Sequence, residues 1–451
     1  MNANAQEIIS EQIIERICQC GWKAYLTGGA VRDLFRGADP SDFDIVTDAS
    51  PEELQIIFPD KKVKMVGESF LVTLIENIEV ATYRSDRNVG PGRHNCLASA
   101  CKTLDEDLAR RDFTFNALAV CPYSGEVIDP FEGRKDLQDQ VVKFVGDPEQ
   151  RIFEDHLRMT RAARFTCLIE GKLDAPSAVA IRNNAHLISQ VSPERIRLEL
   201  LKVMKYRRPS LFFKVLHETG LLQFILPELE EMFGHTGGEY HAETLDQHAF
   251  LTGDALPASN PILRLVGYLH DIGKVPSFAF HKDGSFIDHE HLGAEMIEKI
   301  FKRLKFTNEE IEVAKGLVTL HMRSTDALTS GKAIRRLLNK FAEMNVTWRA
   351  WLLLKIADKN ANLKQTKPMD VKKICLKIHE AKKSMNGGDS LKVVNLALDG
   401  HDIMREFGLK PGPAVGKILK ALLEVVLDDP EVNSKEKLLE IAKGVSLERC
   451  S

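Results

Sequence analysis

Residues 24–33, AYLTGGAVRD, and residues 41–47, SDFDIVT, decide the fold of this chain. The first is a short apolar run that ends in Gly28-Gly29 and turns into a helix-like segment, AVRDLFRG. The second is a β-branched run that begins with two aspartates. Outward from this pair, VKMVG, LVTLI and EVATY have strand composition and are bounded by turn residues. SPEELQIIF between them reads as a short helix, with Ser50 and Glu53 at the spacing of a capping box. Ile8, Ile9, Ile13, Ile14 and Ile17 recur at helical spacing over residues 1–20. Residues 85–103 hold Gly, Pro, Arg and His without periodicity and read as a mobile loop. FNALAV then suggests another helix, and GEVIDPFEG a hairpin-like return. From about residue 147 the apolar period becomes 3.6 and stays so to the C-terminus. Pro193 after Ser192 suits a helix first turn. The spacing therefore predicts an α/β head with a mixed sheet and helices, followed by a long, mostly all-α body.

At 451 residues the chain is long enough for two to four domains. Its 44% hydrophobic and 28% charged residues exclude disordered, fibrous and disulfide-scaffold classes. No run approaches the ~18 apolar residues of a membrane span. The N-terminus has no signal-peptide core, so a cytoplasmic location is expected. The eight cysteines form no C-x-x-C pair, which suits reduced thiols. The net charge of −4 argues neither for nor against nucleic acid. Its distribution says more. Residues 151–215 hold thirteen Lys+Arg against six Asp+Glu, a net of +7. Such a segment suits a phosphate-backbone surface, though solvated helix faces carry the same charge.

The glycine pair lets backbone N–H groups approach a phosphate at a helix N-terminus, where Arg32 can add a planar fork of donors. An ordinary strand–helix turn has the same sequence. Strand alternation puts Asp42 and Asp44 on one face with Phe43 on the other. Two adjacent carboxylates are costly without a cation, and oxygen ligands beside a phosphate loop suit Mg2+. Glu79 in IEVATYR is a candidate third carboxylate or an exposed strand residue. Arg110-Arg111-Asp112, with Asn116, offers donors and acceptors for ribose and phosphates.

In EDHLRMTRAARF, the residues Asp155, Arg158, Arg161 and Arg164 step by three on an expected single helix. An Asp and an Arg so spaced can address one base edge, or simply pair with each other. PERIRLELLKVM offers Arg195, Arg197 and Lys202 to a phosphate backbone. Eight of the fourteen histidines (His235, His241, His248, His270, His281, His289, His291, His321) fall between 235 and 360. His270-Asp271 at a helix end, with His248 upstream and Asp358 downstream, suits a divalent metal, and His291 and His321 could extend it to a second ion.

GGAVRD, SDFDIVT, IEVATYR, DLARRDFTFNALAV, DPFEGRKDL, RIFEDHLRMTRAARF and SPERIRLEL occur in that order. Together they resemble the class II tRNA nucleotidyltransferase (CCA-adding) and bacterial poly(A) polymerase family over residues 20–230. The resemblance implies a template-independent enzyme that extends RNA 3′ ends by Mg2+-dependent nucleotidyl transfer. By it, Asp42 and Asp44 hold Mg2+, with Glu79 assisting, and Gly28, Gly29 and Arg32 bind the triphosphate. Arg111 contacts the nucleotide, and Asp112 and Asn116 the ribose. Glu154, Asp155 and Arg158 match the base-selecting motif, and Arg161 and Arg164 its further nucleotide contacts. HDIGK resembles the HD phosphohydrolase superfamily, which implies a divalent transition metal or Mg2+ at His248, His270, Asp271, Asp358, His291 and His321, and metal-bound water as nucleophile.

The expected domains are a nucleotidyltransferase head (1–146), a helical neck for base and RNA binding (147–232), an HD metal-binding domain (233–362) and a helical C-terminal tail (363–451). The expected partners are a tRNA 3′ end with CTP and ATP, and no membrane. The oligomeric state is not legible. GESFLV after Val66 lacks the basic stretch of poly(A) polymerases, which favours tRNA. Pro91-Gly92-Arg93 stands where an Asp-Gly-Arg triplet is expected in full CCA-adding enzymes. CC-adding, A-adding and poly(A) specificities therefore stay open. So does a reading of another class, an HD phosphohydrolase with an inactive transferase head.

Overall fold

The apolar runs of the head become strands because each has a buried neighbour to pair with. The computed structural model describes residues 3–40, 42–66, 71–88, 96–237, 242–280, 286–325, 330–365, 367–385, 390 and 392–448. The chain divides into two units, residues 1–230 and 231–451.

The first unit is built on strands β1 (Ala24–Thr27), β2 (Asp44–Thr47), β3 (Val63–Met65), β4 (Val72–Ile75), β5 (Ile78–Thr82), β8 (Ala119–Cys121) and β9 (Glu126–Ile128), with β6 (Arg84–Asn88) and β7 (Cys96–Ala100) forming a separate hairpin. The seven-stranded sheet has the order β3-β4-β5-β2-β1-β8-β9. Within this sheet only β2 and β5 pair in parallel, and their register sets Asp44 opposite Glu79. All four residues of central β1 are buried. Helix α1 (Ala3–Gln19) contributes Ile13, Ile14 and Ile17 to the same core as Tyr25, Leu26, Val46 and Val80. Helix α2 (Gly29–Phe35) leaves the end of β1, and α3 (Pro51–Ile57) starts with the expected reciprocal cap. Glu53 N–H donates to Ser50 Oγ (3.2 Å), and Ser50 N–H to Glu53 Oε2 (2.7 Å). Such a cap contributes about 1 kcal/mol.

Three local expectations differ from the structure. Part of the expected mobile loop at 85–103 is the β6–β7 hairpin, whose register pairs Arg84 with Ala100. Its strands, RSDRN and CLASA, lack the apolar alternation that marks a half-buried strand. Pro91-Gly92-Arg93 lies outside the described residues, as do Gly67–Phe70, His241 and His281. FNALAV is not a helix but a 3₁₀ turn, Thr114–Asn116, leading into β8, which pairs with β1. A short buried apolar run has no period that separates helix from strand. EDHLRMTRAARF is not one helix either. Helix α4 (Leu104–Ala109) and α5 (Gly133–Gln138) precede it, α6 (Pro148–Glu154) ends at Glu154, and α7 (Leu157–Leu168) begins after the extended residue Asp155. The Asp155 carboxylate accepts from Leu157 N–H (3.1 Å), a local bond that competes with the helix ladder.

Helix α9 (Pro193–Val203) and the helix Ser210–Glu218 pack against α7, and α8 (Ala175–Asn184) packs against α6, with Pro193 in the first turn of α9 as expected. Phe113, Phe115, Phe144 and Phe165 form an aromatic cluster there, with centroids 4.9–5.8 Å apart.

The described part of the second unit is helical. Buried Arg335, on the helix Gly331–Glu343, donates through Nε to Leu427 O (2.7 Å) and through Nη2 to Asp428 O (2.6 Å). It thereby satisfies the carbonyl end of the helix Pro413–Asp428. Among the described residues, no helix is long and apolar enough to cross a membrane. Cys18, Cys20, Cys101, Cys121, Cys167 and Cys375 are free thiols.

Candidate functional site

Gly28 makes the turn from β1 to α2 with φ +70°, a conformation that favours glycine. A Cβ there would lie 3.2 Å from Arg111 Nη1 and 3.5 Å from Asp44 Oδ2. The glycine thus keeps space beside a carboxylate and a guanidinium. Asp44 stands opposite Glu79 through the parallel register. Burial raises the Asp44 pKa first, and the charges of Glu79 and Asp42 raise it further, against the opposing pull of Arg111. Asp44 therefore feels the charge of both other expected carboxylates. Their crowding is the condition that a divalent cation relieves.

A second chain of contacts runs across the α2 and α7 elements. Arg32 Nη1 donates to Asn116 Oδ1 (3.1 Å), and Asn116 Nδ2 to Asp112 Oδ1 (3.0 Å). Arg161 Nε and Nη2 donate to Asp112 Oδ2 (2.7 and 2.5 Å). Burial alone would push the Asp112 carboxyl up, but Arg161, Asn116 and Arg158 hold it down at about 2. The guanidiniums of Arg32, Arg161 and Arg164 lie 5.1, 5.3 and 4.0 Å from the Phe165 ring centroid. Phe165 is a platform that the sequence reading missed; its only signal was an aromatic within an arginine-rich helix. Asp107 was missed too. Its fully buried carboxylate accepts from Arg110 Nη2 (2.8 Å) and Arg111 Nη2 (3.4 Å), fixing the arginine pair. Gly29 opens α2, where an added Cβ would meet Arg32 Nη2 at 3.7 Å.

The expected base-reading residues sit on both sides of the α6–α7 break. Glu154 accepts from Arg151 Nη2 (2.6 Å) and Arg158 Nη1 (2.5 Å). Arg158 Nη2 and Arg151 Nη1 donate to the Arg110 and Ala109 carbonyls (2.9 and 2.8 Å), which docks this group on the end of α4. Asp155 pairs with Arg195 instead of Arg158, through two bonds of 3.1 and 2.6 Å. Arg195 is thus engaged with Asp155, and Lys202 lies 3.3 Å from Glu199. Buried Arg164 pairs with Glu199 and donates to Tyr206 Oη (2.8 Å).

In the second unit the histidines converge on Asp271. His248 Nε2 lies 3.1 Å from Asp358 Oδ1 and 3.7 Å from Asp271 Oδ2. His270 Nε2 is 3.3 Å from Asp271 Oδ2 and 3.8 Å from Asp358 Oδ1. On the other side, His289 and His321 each place Nε2 3.5 Å from Asp271 Oδ1. His289, not the expected His291, is the histidine that joins His321 at Asp271. His289 is buried and opens the helix His289–Arg303; two residues on, His291 faces outward in an exposed group with Asp288 and Glu290. Spacing alone could not separate them, because helical rotation over two residues turns the side chain away by about 200°. His235 instead stacks edge-on against Phe278, 5.8 Å between centroids.

Both sets of ligand atoms are close enough to share a metal ion. His270, His289 and His321 each place Nδ1 against a carbonyl three residues back (Gly267, Phe286, Val318; 2.9, 2.7 and 2.6 Å). That contact puts the proton on Nδ1 and the lone pair on Nε2. His270 Nε2 is buried without a hydrogen-bond partner, and the Nε2 atoms of His289 and His321 face each other at 3.2 Å. Excess acceptors of this kind fit a divalent cation. Lys274 Nζ, 2.6 Å from Asp271 Oδ2, lies against the same carboxylate.

The chain is similar to known proteins over most of its length. Residues 24–143 match the poly(A) polymerase head domain, 172–233 the RNA- and SrmB-binding site of polymerase A, and 286–442 domain 2 of the tRNA nucleotidyltransferases. The CCA-adding enzyme of Limosilactobacillus reuteri is 29% identical, covering 97% of this chain and 96% of its own. That of Bacillus licheniformis is 31% identical, covering 73% and 78%. The crystal structure of the Bacillus stearothermophilus CCA-adding enzyme in complex with CTP superimposes with a TM-score of 0.72 at 26% identity, covering 97% of both chains.

Proposed function

This chain belongs to the CCA-adding enzyme family, and we propose that its head adds C and A to tRNA 3′ ends from CTP and ATP without a nucleic-acid template. One arrangement carries the reading. Asp44 and Glu79 stand in register on parallel strands, beside a glycine turn that leaves room next to Arg111.

Asp42, Asp44 and Glu79 would hold the divalent metal, Mg2+ by its preference for carboxylate and phosphate oxygens. When bound, it supplies charge neutralisation at the α-phosphate and at the attacking hydroxyl. The chain's own residues do the positioning. Gly28-Gly29 and Arg32 cradle the triphosphate, and Arg111 offers donors on the Asp44 side. Arg158, held by Glu154, and Asp155, held by Arg195, present fixed donors and acceptors to the base. The RNA 3′-OH attacks the α-phosphate in line, and pyrophosphate leaves. Because the reading groups are protein side chains, the order C, C, A needs no template strand. The test is incorporation of labelled CTP and ATP into tRNA lacking its 3′ end. Asp42→Ala should abolish addition while tRNA binding persists; addition by that variant would overturn the reading.

A second activity is favoured by a specific observation, the unpartnered Nε2 of His270 beside the facing His289 and His321. We infer that His248, His270, Asp271 and Asp358, with His289 and His321 on the other side of Asp271, bind divalent metal and support phosphoester hydrolysis. A bound metal there would supply an activated water. Phosphate release from phosphomonoesters and cyclic phosphates, lost in His270→Ala, tests it.

A further inference from the structure

We propose that Glu243 is a positioning residue for the histidine cluster, fixing the tautomer of His248 and the placement of Asp358 together. The inference rests on the metal-binding reading of that cluster. Among the four histidines of the cluster, His248 alone hydrogen-bonds through Nδ1 to a carboxylate, Glu243 Oε1, at 3.1 Å. The other three use a carbonyl three residues back. His248 lies within the helix Leu245–Ala255, and Glu243 precedes that helix. The ring therefore takes its partner from outside the helix.

Glu243 is suited to that task. Its side chain is fully buried, and its second oxygen, Oε2, accepts from Leu363 N–H (3.1 Å) and Ala242 N–H (3.1 Å). Leu363 lies two residues beyond the helix Trp348–Ala361, which carries Asp358. One carboxylate thus ties the segment leading to His248 to the segment following Asp358. Those two residues meet at 3.1 Å, Nε2 to Oδ1. A carboxylate on Nδ1–H holds the proton there, leaves the Nε2 lone pair for a ligand, and makes the ring a stronger donor to metal. Glu243 sits in HAETLDQH without periodic or spacing signal, so sequence reading does not find it.

The experiment is a calorimetric titration of metal-stripped, full-length protein with Mn2+ and with Co2+. Wild type, His270→Ala, Glu243→Ala, Glu243→Gln and Glu243→Asp are compared. Wild type should bind and His270→Ala should not. Glu243→Ala should bind about 10- to 100-fold more weakly, the usual cost of removing the partner of a metal-bound histidine. Glu243→Gln has one acceptor oxygen for the two sets of donors that Glu243 serves, Nδ1–H on one side and the Leu363 and Ala242 N–H groups on the other, so it should be weakened like the alanine variant. Glu243→Asp, which withdraws the carboxylate, should be weakened like the alanine variant and keeps the test decisive if that one fails to fold. Imidazole ¹⁵N shifts should report Nδ1-protonated His248 in wild type only. Affinity of Glu243→Ala or Glu243→Asp equal to wild type, with His270→Ala still defective, overturns the role of Glu243 alone. Absence of binding in wild type overturns the metal reading beneath it.

Discussion

Asp44 and Glu79 occupy paired positions on parallel strands β2 and β5, the only parallel pair in the seven-stranded sheet. Their proximity raises the Asp44 pKa beyond what burial does. A carboxylate held in this way binds a cation more tightly than two separated ones, because the cation relieves both. Asp44→Ala should lower nucleotide addition at least about 10³-fold, whereas Glu79→Gln should lower it about tenfold. Single-turnover incorporation at saturating CTP measures both. Equal, small losses would detach the pair from the chemistry.

Asp155 is held by Arg195 from α9, not by Arg158 three residues on. Removing Arg195 leaves a half-buried carboxylate free to rotate. Arg195→Ala should raise KM for CTP and ATP and reduce discrimination against UTP and GTP by about tenfold, the worth of one charged hydrogen bond. Competition between correct and incorrect nucleotides checks it. Unchanged discrimination would remove Asp155 from base reading.

Asp112 carries the clearest pH dependence. Its folded pKa of about 2 lies below the ordinary 3.8. The sign follows: its stabilisation is complete above pH ~4 and is lost as pH falls through ~2. The shift corresponds to about 2 kcal/mol. Between pH 4 and 2, Asp112→Asn should therefore lose about 2 kcal/mol less stability than wild type in urea titrations.

His289 and His291 are two residues apart and should behave differently. His289→Ala should remove metal from the side of Asp271 that it shares with His321, lowering the bound stoichiometry, and His291→Ala should leave it unchanged. Metal analysis after equilibrium dialysis distinguishes them.

Arg335 is nearly enclosed and spends its guanidinium on two terminal carbonyls. Arg335→Met keeps the volume and loses the donors. It should destabilise residues 231–451 by about 2–4 kcal/mol, with two carbonyls left unmet. Limited proteolysis of that unit provides the readout.

Much of the head was legible because its signals are local. Ser50 and Glu53, three residues apart, cap the helix Pro51–Ile57, and AYLT and DIVT are apolar runs with no competing period. The paired aspartates and the glycine turn also announce themselves at short range. What escaped the sequence depends on tertiary partners. Asp155 looked like the start of a helical row until Leu157 N–H and Arg195 turned it out of the helix. FNALAV became a strand because β1 had an open edge beside it. His289 and His291 have the same residue type and the same neighbourhood, and only the start of a helix at His289 sorts them. Glu243 and Asp107 carry no sequence pattern, since each acts by reaching groups brought near by folding.

The most direct test of the central claim is stepwise incorporation of labelled CTP and ATP into a tRNA ending at the discriminator base, resolved at single-nucleotide length. The account predicts two C additions followed by one A and then arrest, all lost in Asp42→Ala and Asp44→Ala. Long A tails on unrelated RNA, or addition that survives loss of either aspartate, would contradict it.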